Sequence, residues 1–258
     1  MRATYRSHGG NRDYWRQRWE AIEADGTTLN LARYPGRYAE AALARASGAV
    51  LEAGCGAGRV LRYYHGQGRR IVGLDFIEGP LHKLHGVDGT LPLLAGDITQ
   101  LPFVGGAFGC VLAFGLYHNL ENGLNDALLE TRRVLTRSGV LCASFRADNL
   151  QNRILDTLSD ADGRRVEAHF HKMNYTEGEI RRCLSTAGFV VTDLEYVQNM
   201  PFLHKLALFR LRQDSFDEHS ARAKGYQLST MGEALQRTSM KLWPRHFCNV
   251  YVATATAV

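Results

Sequence analysis

The chain has 258 residues, is 45% hydrophobic and 22% charged, and carries a formal net charge of +5. These values exclude disordered and fibrous classes, and the length suffices for one sizeable core with additions. Lys and Arg are scattered without a polybasic block, so a solvated basic surface is favoured over nucleic-acid binding. Neither a signal peptide within Met1 to Glu20 nor a membrane-spanning run is evident, and we expect a soluble, cytoplasmic protein.

Cysteine usage agrees with a reducing compartment. The five cysteines are an odd number, are widely spaced and contain no C-x-x-C pair: Cys55, Cys110, Cys142, Cys183 and Cys248. Neither a disulfide framework nor a zinc site is indicated, and we expect no metal.

The N-terminal segment, residues 1–47, is predicted to be a helical cap or lid. Within it, Trp15 and Trp19 are four residues apart and share one helical face. Such an aromatic pair is more often packing, and over a cleft it could also be a gate.

A short apolar run then ends in a loop with glycine at positions 54, 56 and 58. Glycine tolerates positive φ and lets a ligand lie directly against the backbone. Arg59 stands where the dinucleotide fingerprint G-x-G-x-x-G has its third glycine, which disfavours pyrophosphate. Glu52, ahead of the loop, favours a cationic ligand or caps nearby backbone amides.

Two further aspartates suit an adenosine. Asp75 ends the next apolar run, where a carboxylate can accept hydrogen bonds from a ribose diol, although nicotinamide cofactors use the same arrangement. Asp97 with the adjacent Ile98 suits the amino edge and the face of an adenine. The alternative for Asp97 is the start of a turn before Leu101 and Pro102.

Five segments in order resemble the class I S-adenosylmethionine (SAM) dependent methyltransferases, and together they cover residues 48–146. The segments are 50–58, 73–75, 96–103, 108–114 and 128–141. The resemblance implies SAM as the cofactor, with Asp75 on the ribose, Asp97 on the adenine and Phe114 beside the methionyl part. The implied cofactor-binding set is Glu52, Gly54, Cys55, Gly56, Gly58, Asp75, Phe76, Asp97, Ile98 and Phe114.

Alternating strand and helix patterns predict an α/β fold, a Rossmann-like, seven-stranded, mostly parallel sheet with helices on both faces. We expect an antiparallel last strand and a helical insertion between strands 6 and 7. Strands are predicted near 48–53, 70–75, 92–95, 109–114, 139–146, 189–197 and 247–254. Helices are predicted at 59–66, 78–86, 122–135 and, behind a capping box at Thr176, through Ala187. The predicted divisions are 1–47, a SAM-binding core at 48–198, the insertion at 199–246 and the last core strand at 247–258.

Substrate choice is expected in the insertion and the N-terminal segment, because additions cover the carboxyl ends of the strands. Residues 202–211 are apolar with basic interruptions. They could form a pocket lid, a homodimer surface or a membrane-surface helix, although a helix packed on the core is commoner.

His118 follows the fourth core strand and is the candidate catalytic base, with an unperturbed pKa of about 6.5. Its alternative is a structural hydrogen bond. Tyr117 is the second catalytic candidate and is predicted to be a wall of the acceptor pocket. Arg33 or Arg37 could meet the methionyl carboxylate. His169 and His171 share a strand face, but the sequence offers no third metal ligand.

We therefore expect a SAM-dependent methyltransferase that acts on a small molecule, with oxygen favoured as the methylated atom and nitrogen or carbon as the alternatives. Amino methyltransferases that act on nucleobases usually carry an Asn/Asp-Pro-Pro-aromatic stretch after the fourth strand. In this chain the corresponding residues, 115–119, are Gly-Leu-Tyr-His-Asn. One alternative is a catalytically idle SAM-binding or partner-regulating module. Another is a nicotinamide-dependent oxidoreductase, against which Arg59 and Asp97 count.

Overall fold

The computed structural model describes residues 1–6, 11–20, 29–160, 169–211 and 227–258. The strands are β1 (Arg2–Arg6), β2 (Val50–Ala53), β3 (Ile71–Asp75), β4 (Leu93–Ala95), β5 (Phe108–Ala113), β6 (Leu135–Arg146), β7 (His169–Asn174), β8 (Phe189–Val197) and β9 (Val250–Ala257). The α-helices are α1 (Asn11–Glu20), α2 (Gly36–Leu43), α3 (Arg59–Gly66), α4 (Glu78–Val87), α5 (Leu124–Val134), α6 (Leu150–Asp160), α7 (Glu177–Thr186), α8 (Thr230–Leu242) and α9 (Pro244–Phe247). Shorter 3₁₀ turns lie at Tyr117–Asn119, Phe202–Lys205 and Ala207–Phe209.

The main sheet has seven strands in the order β4-β3-β2-β5-β6-β9-β8. Strands β2 to β6 run parallel, and β9 lies antiparallel between β6 and β8. The predicted α/β architecture with an antiparallel last strand is thereby confirmed. Within the described part of the chain, every helix is too short or too polar to cross a membrane.

Side chains along β5 show how the sheet is covered on both faces. Cys110 and Leu112 belong to one apolar cluster, which α2, α3 and α4 complete, whereas Val111 and Ala113 belong to the other, which α5 and α7 complete. Successive residues of a strand point to opposite faces, so a strand buried on both sides must be apolar throughout. This double burial explains why the central strands were visible as continuous apolar runs.

A second, two-stranded sheet was not predicted. Strand β1 pairs antiparallel with β7, and Tyr175 after β7 forms a parallel bridge with Ala147 at the end of β6. The N-terminal segment is therefore part strand and part helix rather than helical throughout. Pairing between residues about 170 positions apart leaves no mark in either local pattern.

The capping box that was predicted for α7 is present. The Thr176 hydroxyl accepts from the backbone N–H of Glu179, whose side chain accepts in return from the backbone N–H of Thr176. These two bonds satisfy donors that the first helical turn leaves unpaired. The helix ends before Gly188, which has a φ of 83°.

The insertion between β8 and β9 contains α8 and α9, as the helical prediction requires, but residues 202–211 do not form one continuous helix. Two 3₁₀ turns replace it, with Leu203 and His204 buried and Leu206 and Leu208 exposed. Residues 202–211 therefore do not form the membrane-surface helix that was one of the alternatives. Residues 212–226 lie outside the described part of the chain.

Candidate functional site

The site begins with the glycine loop between β2 and α3. Gly54, Gly56 and Gly58 have φ values of 71°, 50° and 68°, a region that residues with a Cβ rarely adopt. The backbone N–H groups of Gly54 and Cys55 donate to the carbonyl of Leu74 at 2.7 and 3.0 Å. The loop is thus hydrogen-bonded to the end of β3, where Asp75 also lies.

Close approach to the glycines comes from side chains of the protein itself. A Cβ on Gly58 would meet Leu84 of α4 at 2.8 Å, and one on Gly56 would meet the Trp19 indole well inside contact distance. Glycine at 58 therefore serves helix packing. At Gly56 the neighbour belongs to α1, outside the sheet and its covering helices.

Asp75 links the end of β3 to the glycine loop. Its Oδ2 accepts from the backbone N–H of Gly56 at 2.8 Å, and its Oδ1 accepts from that of Ile77 at 2.9 Å. Burial raises the pKa of this carboxyl, and backbone N–H donors oppose the rise. Each carboxylate oxygen can accept more than one hydrogen bond, so Asp75 retains capacity for ribose hydroxyls.

Glu52 lies beneath the loop as a buried cap of α3. Its Oε2 accepts from the backbone N–H of Leu61 at 2.7 Å. Burial raises the pKa of Glu52 to about 8. The capping alternative of the sequence analysis thus describes the contact that this side chain makes here, and its predicted place in the cofactor set stays a prediction.

Cys55 and Phe76 are oriented very differently. Cys55 is buried, and a Cβ on Gly73 of β3 would lie 3.1 Å from its Sγ, so the thiol faces the neighbouring strand. Burial raises its pKa well above the ordinary value. Phe76 is 48% exposed, and the Arg12 guanidinium of α1 lies 4.6 Å from its ring centroid.

Asp97 and Ile98 also differ in exposure to solvent. Asp97 is exposed, and its Oδ1 accepts from both the backbone N–H and the hydroxyl of Thr99 at 2.8 Å. The turn that the sequence offered as an alternative is thus present, and Oδ2 has no hydrogen bond recorded among the described residues. Ile98 is buried in the core cluster.

Phe114 and its neighbours form the end of β5. The Phe114 ring packs edge-on against Tyr34, with 5.7 Å between centroids. The Tyr34 hydroxyl lies 3.0 Å from the Ser144 hydroxyl, which accepts from the backbone N–H of Gly115 at 2.8 Å. Arg37 pairs with Glu195 of the edge strand β8 at 3.5 Å.

His118 is buried beside two cations. Burial lowers its pKa to about 3, Lys172 and Arg146 add to the lowering, and a hydrogen bond to the Ser144 backbone opposes it. The imidazole is therefore neutral near pH 7. Its Nδ1 is buried and has no hydrogen-bond partner in the described part of the chain, so a lone pair or an N–H remains for a group that enters the buried space beside it.

Tyr117 points into the core. It is fully buried, its hydroxyl lies 2.7 Å from the Thr131 hydroxyl, and its ring stacks on Phe145 with centroids 5.6 Å apart. This placement gives the side chain no open surface. The geometry therefore supports a packing role and does not support the predicted pocket wall.

The two histidines of β7 differ in exposure to solvent. His171 is buried, with the Tyr14 ring edge-on at 5.6 Å, and His169 is exposed. In the described ranges, no three His, Cys, Asp or Glu side chains gather closely enough to hold a metal ion.

Comparison with known families identifies the domain. Residues 51–143, which run from β2 to β6, match the model of the methyltransferase domain. Residues 51–143 thus carry a methyltransferase domain, as the resemblance to the class I SAM-dependent methyltransferases predicts.

Two curated relatives of this chain illustrate the match. A Mycolicibacterium smegmatis protein named probable SAM-dependent methyltransferase is 29% identical over 145 residues, 56% of this chain and 52% of that protein. The malonyl-[acyl-carrier protein] O-methyltransferase of Serratia marcescens is 30% identical over 116 residues, 45% of each chain. The chain therefore spans about half the length of the curated relatives it matches.

A solved structure extends the fold comparison to nearly the whole chain. The geranyl diphosphate C-methyltransferase of Streptomyces coelicolor, in complex with Mg²⁺, geranyl diphosphate and S-adenosylhomocysteine, superposes with a TM-score of 0.59 at 14% identity. The superposition covers 98% of this chain and 99% of that one. At this identity the likeness concerns the fold.

Some residues around the candidate site were not predicted. Ser144 lies inside an apolar strand, and Arg12 precedes the aromatic pair of α1, so neither stood in a recognisable pattern. In the structure, Ser144 contacts Gly115 and Arg12 contacts Phe76. Each partner is distant in sequence, so these contacts could not be predicted from a local pattern. Tyr34 was noticed as an aromatic near the cleft, but its partner Ser144 was not.

Proposed function

We propose that this methyltransferase transfers the methyl group of SAM to an oxygen atom of a small-molecule acceptor by in-line displacement. The observation that carries the proposal is the junction between Gly56 and Asp75, where a left-handed glycine loop is hydrogen-bonded to a carboxylate at the end of the neighbouring parallel strand. Ligands of open α/β sheets bind beyond the carboxyl ends of the strands. Asp75 and the loop meet at that edge.

The residues present fit the cofactor. Asp75 would accept from the ribose hydroxyls, and the free acceptor capacity of Asp97 Oδ2 would suit the adenine amino group. The exposed ring of Phe76 offers an apolar face for the base. SAM supplies a methyl group on a sulfonium, which is already activated toward attack.

At the end of β5, His118 is the residue proposed to position the acceptor. The acceptor oxygen forms a bond to the methyl carbon while the carbon–sulfur bond breaks, and the products are a methyl ether or ester, S-adenosylhomocysteine and, from a hydroxyl acceptor, a proton. A neutral imidazole can accept a hydrogen bond from a hydroxyl through Nδ1. Since its pKa is lowered to about 3, His118 is a weak proton acceptor and is better suited to orientation than to full proton removal.

The choice of oxygen and of a small molecule is supported by the sequence of residues 115–119, which lacks the stretch that nucleobase methyltransferases share, and by the name of the Serratia marcescens relative, an O-methyltransferase. The predicted homodimer stays a prediction, which a measurement of molar mass in solution would decide.

A SAM-binding module without turnover is the second candidate. The low pKa of His118 favours it, because a weak proton acceptor provides little general-base catalysis. Binding of SAM without methylation of any tested acceptor would favour this candidate.

Calorimetric titration with SAM and with S-adenosylhomocysteine tests the cofactor first. We expect micromolar binding of both, and absence of binding by the folded protein would contradict the proposal. Release of S-adenosylhomocysteine is then measured against a panel of hydroxylated and carboxylated small molecules. With an active acceptor, His118→Asn should lower kcat while leaving SAM affinity unchanged, and an unaltered rate would reject His118 as a positioning residue.

A further inference from the structure

Helix α1 contacts the glycine loop through the side chain of Trp19. The edge of the Trp19 indole covers the α-carbon face of Gly56, so closely that a Cβ on Gly56 would collide with the ring. The N–H of the same glycine is held by Asp75. An adenosyl group that reaches Asp75 across the loop would need the space against Gly56 that the indole fills.

The other end of α1 covers a second part of the same crevice. The Arg12 guanidinium lies 4.6 Å above the ring of Phe76, the residue directly after Asp75. Arg12 and Trp19 are seven residues apart, which corresponds to about 10 Å along an α-helix. Helix α1 therefore reaches from the residue after β3 to the glycine loop after β2.

A lysine of the core domain holds α1 in this position. Lys83 of α4 donates from Nζ to the backbone carbonyls of Trp19 and Glu20 at 2.9 and 2.7 Å. These carbonyls belong to the last turn of α1, where a cation is favourable because the helix leaves them unpaired. Trp15 stacks on Trp19 with ring centroids 5.9 Å apart and stabilises the indole from the side.

We propose that α1 is an autoinhibitory lid and that Trp19 competes with SAM for the surface of Gly56. The inference rests on the proposed function, since it takes SAM to be the ligand of the crevice. SAM binds when α1 moves away from the loop, so its apparent dissociation constant equals the intrinsic constant divided by the fraction of molecules with the lid open. The lid thereby sets a lower affinity than the crevice itself would provide.

Calorimetric titration of variants with SAM tests this competition. Trp19→Ala removes the competing ring and should bind SAM several-fold more tightly than the wild-type protein. Lys83→Met removes the donor that holds α1 while retaining an aliphatic side chain, and should shift affinity in the same direction by less. Trp243→Ala is the matched control, because Trp243 is 55% exposed and follows α8 in the insertion. Its affinity should be unchanged.

The outcomes separate this proposal from the proposed function. Weaker or equal binding by Trp19→Ala, with wild-type binding intact, overturns the lid and leaves SAM binding standing. Absence of binding in both proteins contradicts both proposals, whereas binding by the variant alone supports the lid.

Hydrogen exchange provides a second measurement that does not depend on a variant. The backbone amides of residues 11–20 should exchange faster when the wild-type protein is saturated with SAM, because the helix leaves the loop. Slower or unchanged exchange would overturn the competition and indicate that α1 closes over the bound cofactor.

Discussion

Glu52 accepts a 2.7 Å hydrogen bond from the backbone N–H of Leu61, in the first turn of α3. The carboxyl is buried, and burial raises its pKa to about 8, with Arg59 opposing the rise and Asp75 adding to it. The protonation of this buried residue below the glycine loop is therefore linked to folding.

The protonation of Glu52 should make stability fall as pH rises. The unfolded carboxyl loses its proton near pH 4.5 and the folded one only near 8, so the folded state binds the extra proton between these values. The stabilisation is complete below pH 4.5 and is lost as pH rises to 8, at no more than about 1.4 kcal/mol per pH unit. Glu52→Gln removes the titration and keeps an acceptor for the Leu61 N–H.

Urea unfolding of both proteins at pH 5, 6.5 and 8 measures the effect. The stability of Glu52→Gln relative to wild type should rise with pH. Glu195→Gln, which changes an exposed side chain of β8, is the control for the replacement of a glutamate. A relative stability of Glu52→Gln that does not rise with pH would contradict the raised pKa.

Replacement of Asp75 should weaken cofactor binding. Asp75→Ala removes the proposed acceptor of the ribose hydroxyls and the acceptor of the backbone N–H groups of Gly56 and Ile77, and we expect a loss of about 1–3 kcal/mol in the binding free energy of SAM. Asp75→Asn retains one acceptor oxygen and separates lost charge from a distorted loop. Titration calorimetry, with thermal unfolding as a check of the fold, gives both quantities.

The control for Asp75 is Asp88→Ala, which removes a half-buried aspartate that accepts from the backbone N–H of Thr90 at 2.9 Å. Its SAM affinity should equal that of wild type. Unchanged affinity in a folded Asp75→Ala protein would remove Asp75 from the cofactor site.

The sequence predicted the parts of the molecule that local chemistry determines. Strands buried on both faces must be continuously apolar, and the turn after β2 requires left-handed residues, which Gly54 and Gly58 provide. The capping box at Thr176 is equally local, because its partner is three residues away. These features sufficed for the strands of the main sheet, the antiparallel last strand and the position of the glycine loop.

Contacts between distant segments could not be predicted. Trp19 was recognised as half of an aromatic pair, but nothing near it indicates that the ring rests on Gly56. Tyr117 was placed in a pocket because its neighbours follow a strand, whereas its rotamer turns it to Thr131. The direction of such a side chain depends on packing from helices elsewhere in the chain.

Protonation of His118 in the unfolded state should lower the free energy of unfolding at acidic pH. Its folded pKa is lowered to about 3, whereas the unfolded imidazole titrates near 6.5, so the unfolded state binds the extra proton between these values. Its contribution is present above pH 6.5 and is lost as pH falls toward 3. His118→Asn should therefore lose less stability than wild type between pH 6.5 and 5, measured by urea unfolding. A parallel loss in both proteins would contradict the lowered pKa.

The restriction to pH 5 and above separates His118 from nearby aspartates. The pKa values of Asp148 and Asp156 lie below their ordinary value, because hydrogen bonds and charges of neighbouring arginines outweigh burial. Their contributions are lost only below about pH 4.

An ion network at the end of β6 should stabilise the attachment of β1. Arg146 pairs with Asp156 of α6 at 2.7 Å, and Arg2 of β1 donates to Asp156 at 2.9 Å and to Asp148 at 2.8 Å. Asp156→Asn leaves two arginines with a neutral partner in a largely buried place and should cost about 1–3 kcal/mol in unfolding free energy.

The matched control for this network is Asp193→Asn, which breaks an ion pair with Arg45 in which both side chains are about half exposed. Pairs of this kind contribute about 0–1 kcal/mol. Equal losses in the two variants, measured by urea unfolding at pH 7, would show that the network around Asp156 contributes no more than a surface pair.

Thiol accessibility should single out Cys183. It is the half-buried cysteine of α7, whereas the remaining four are buried: Cys55, Cys110, Cys142 and Cys248. Burial raises the pKa of each, and a thiol reacts as its thiolate, so the buried four should resist a thiol reagent at pH 8. We expect one labelled thiol per native chain, five in denaturant, and none in native Cys183→Ser. Rapid labelling of Cys55 in the native protein would mean that the glycine loop opens far more readily than its hydrogen bonds indicate.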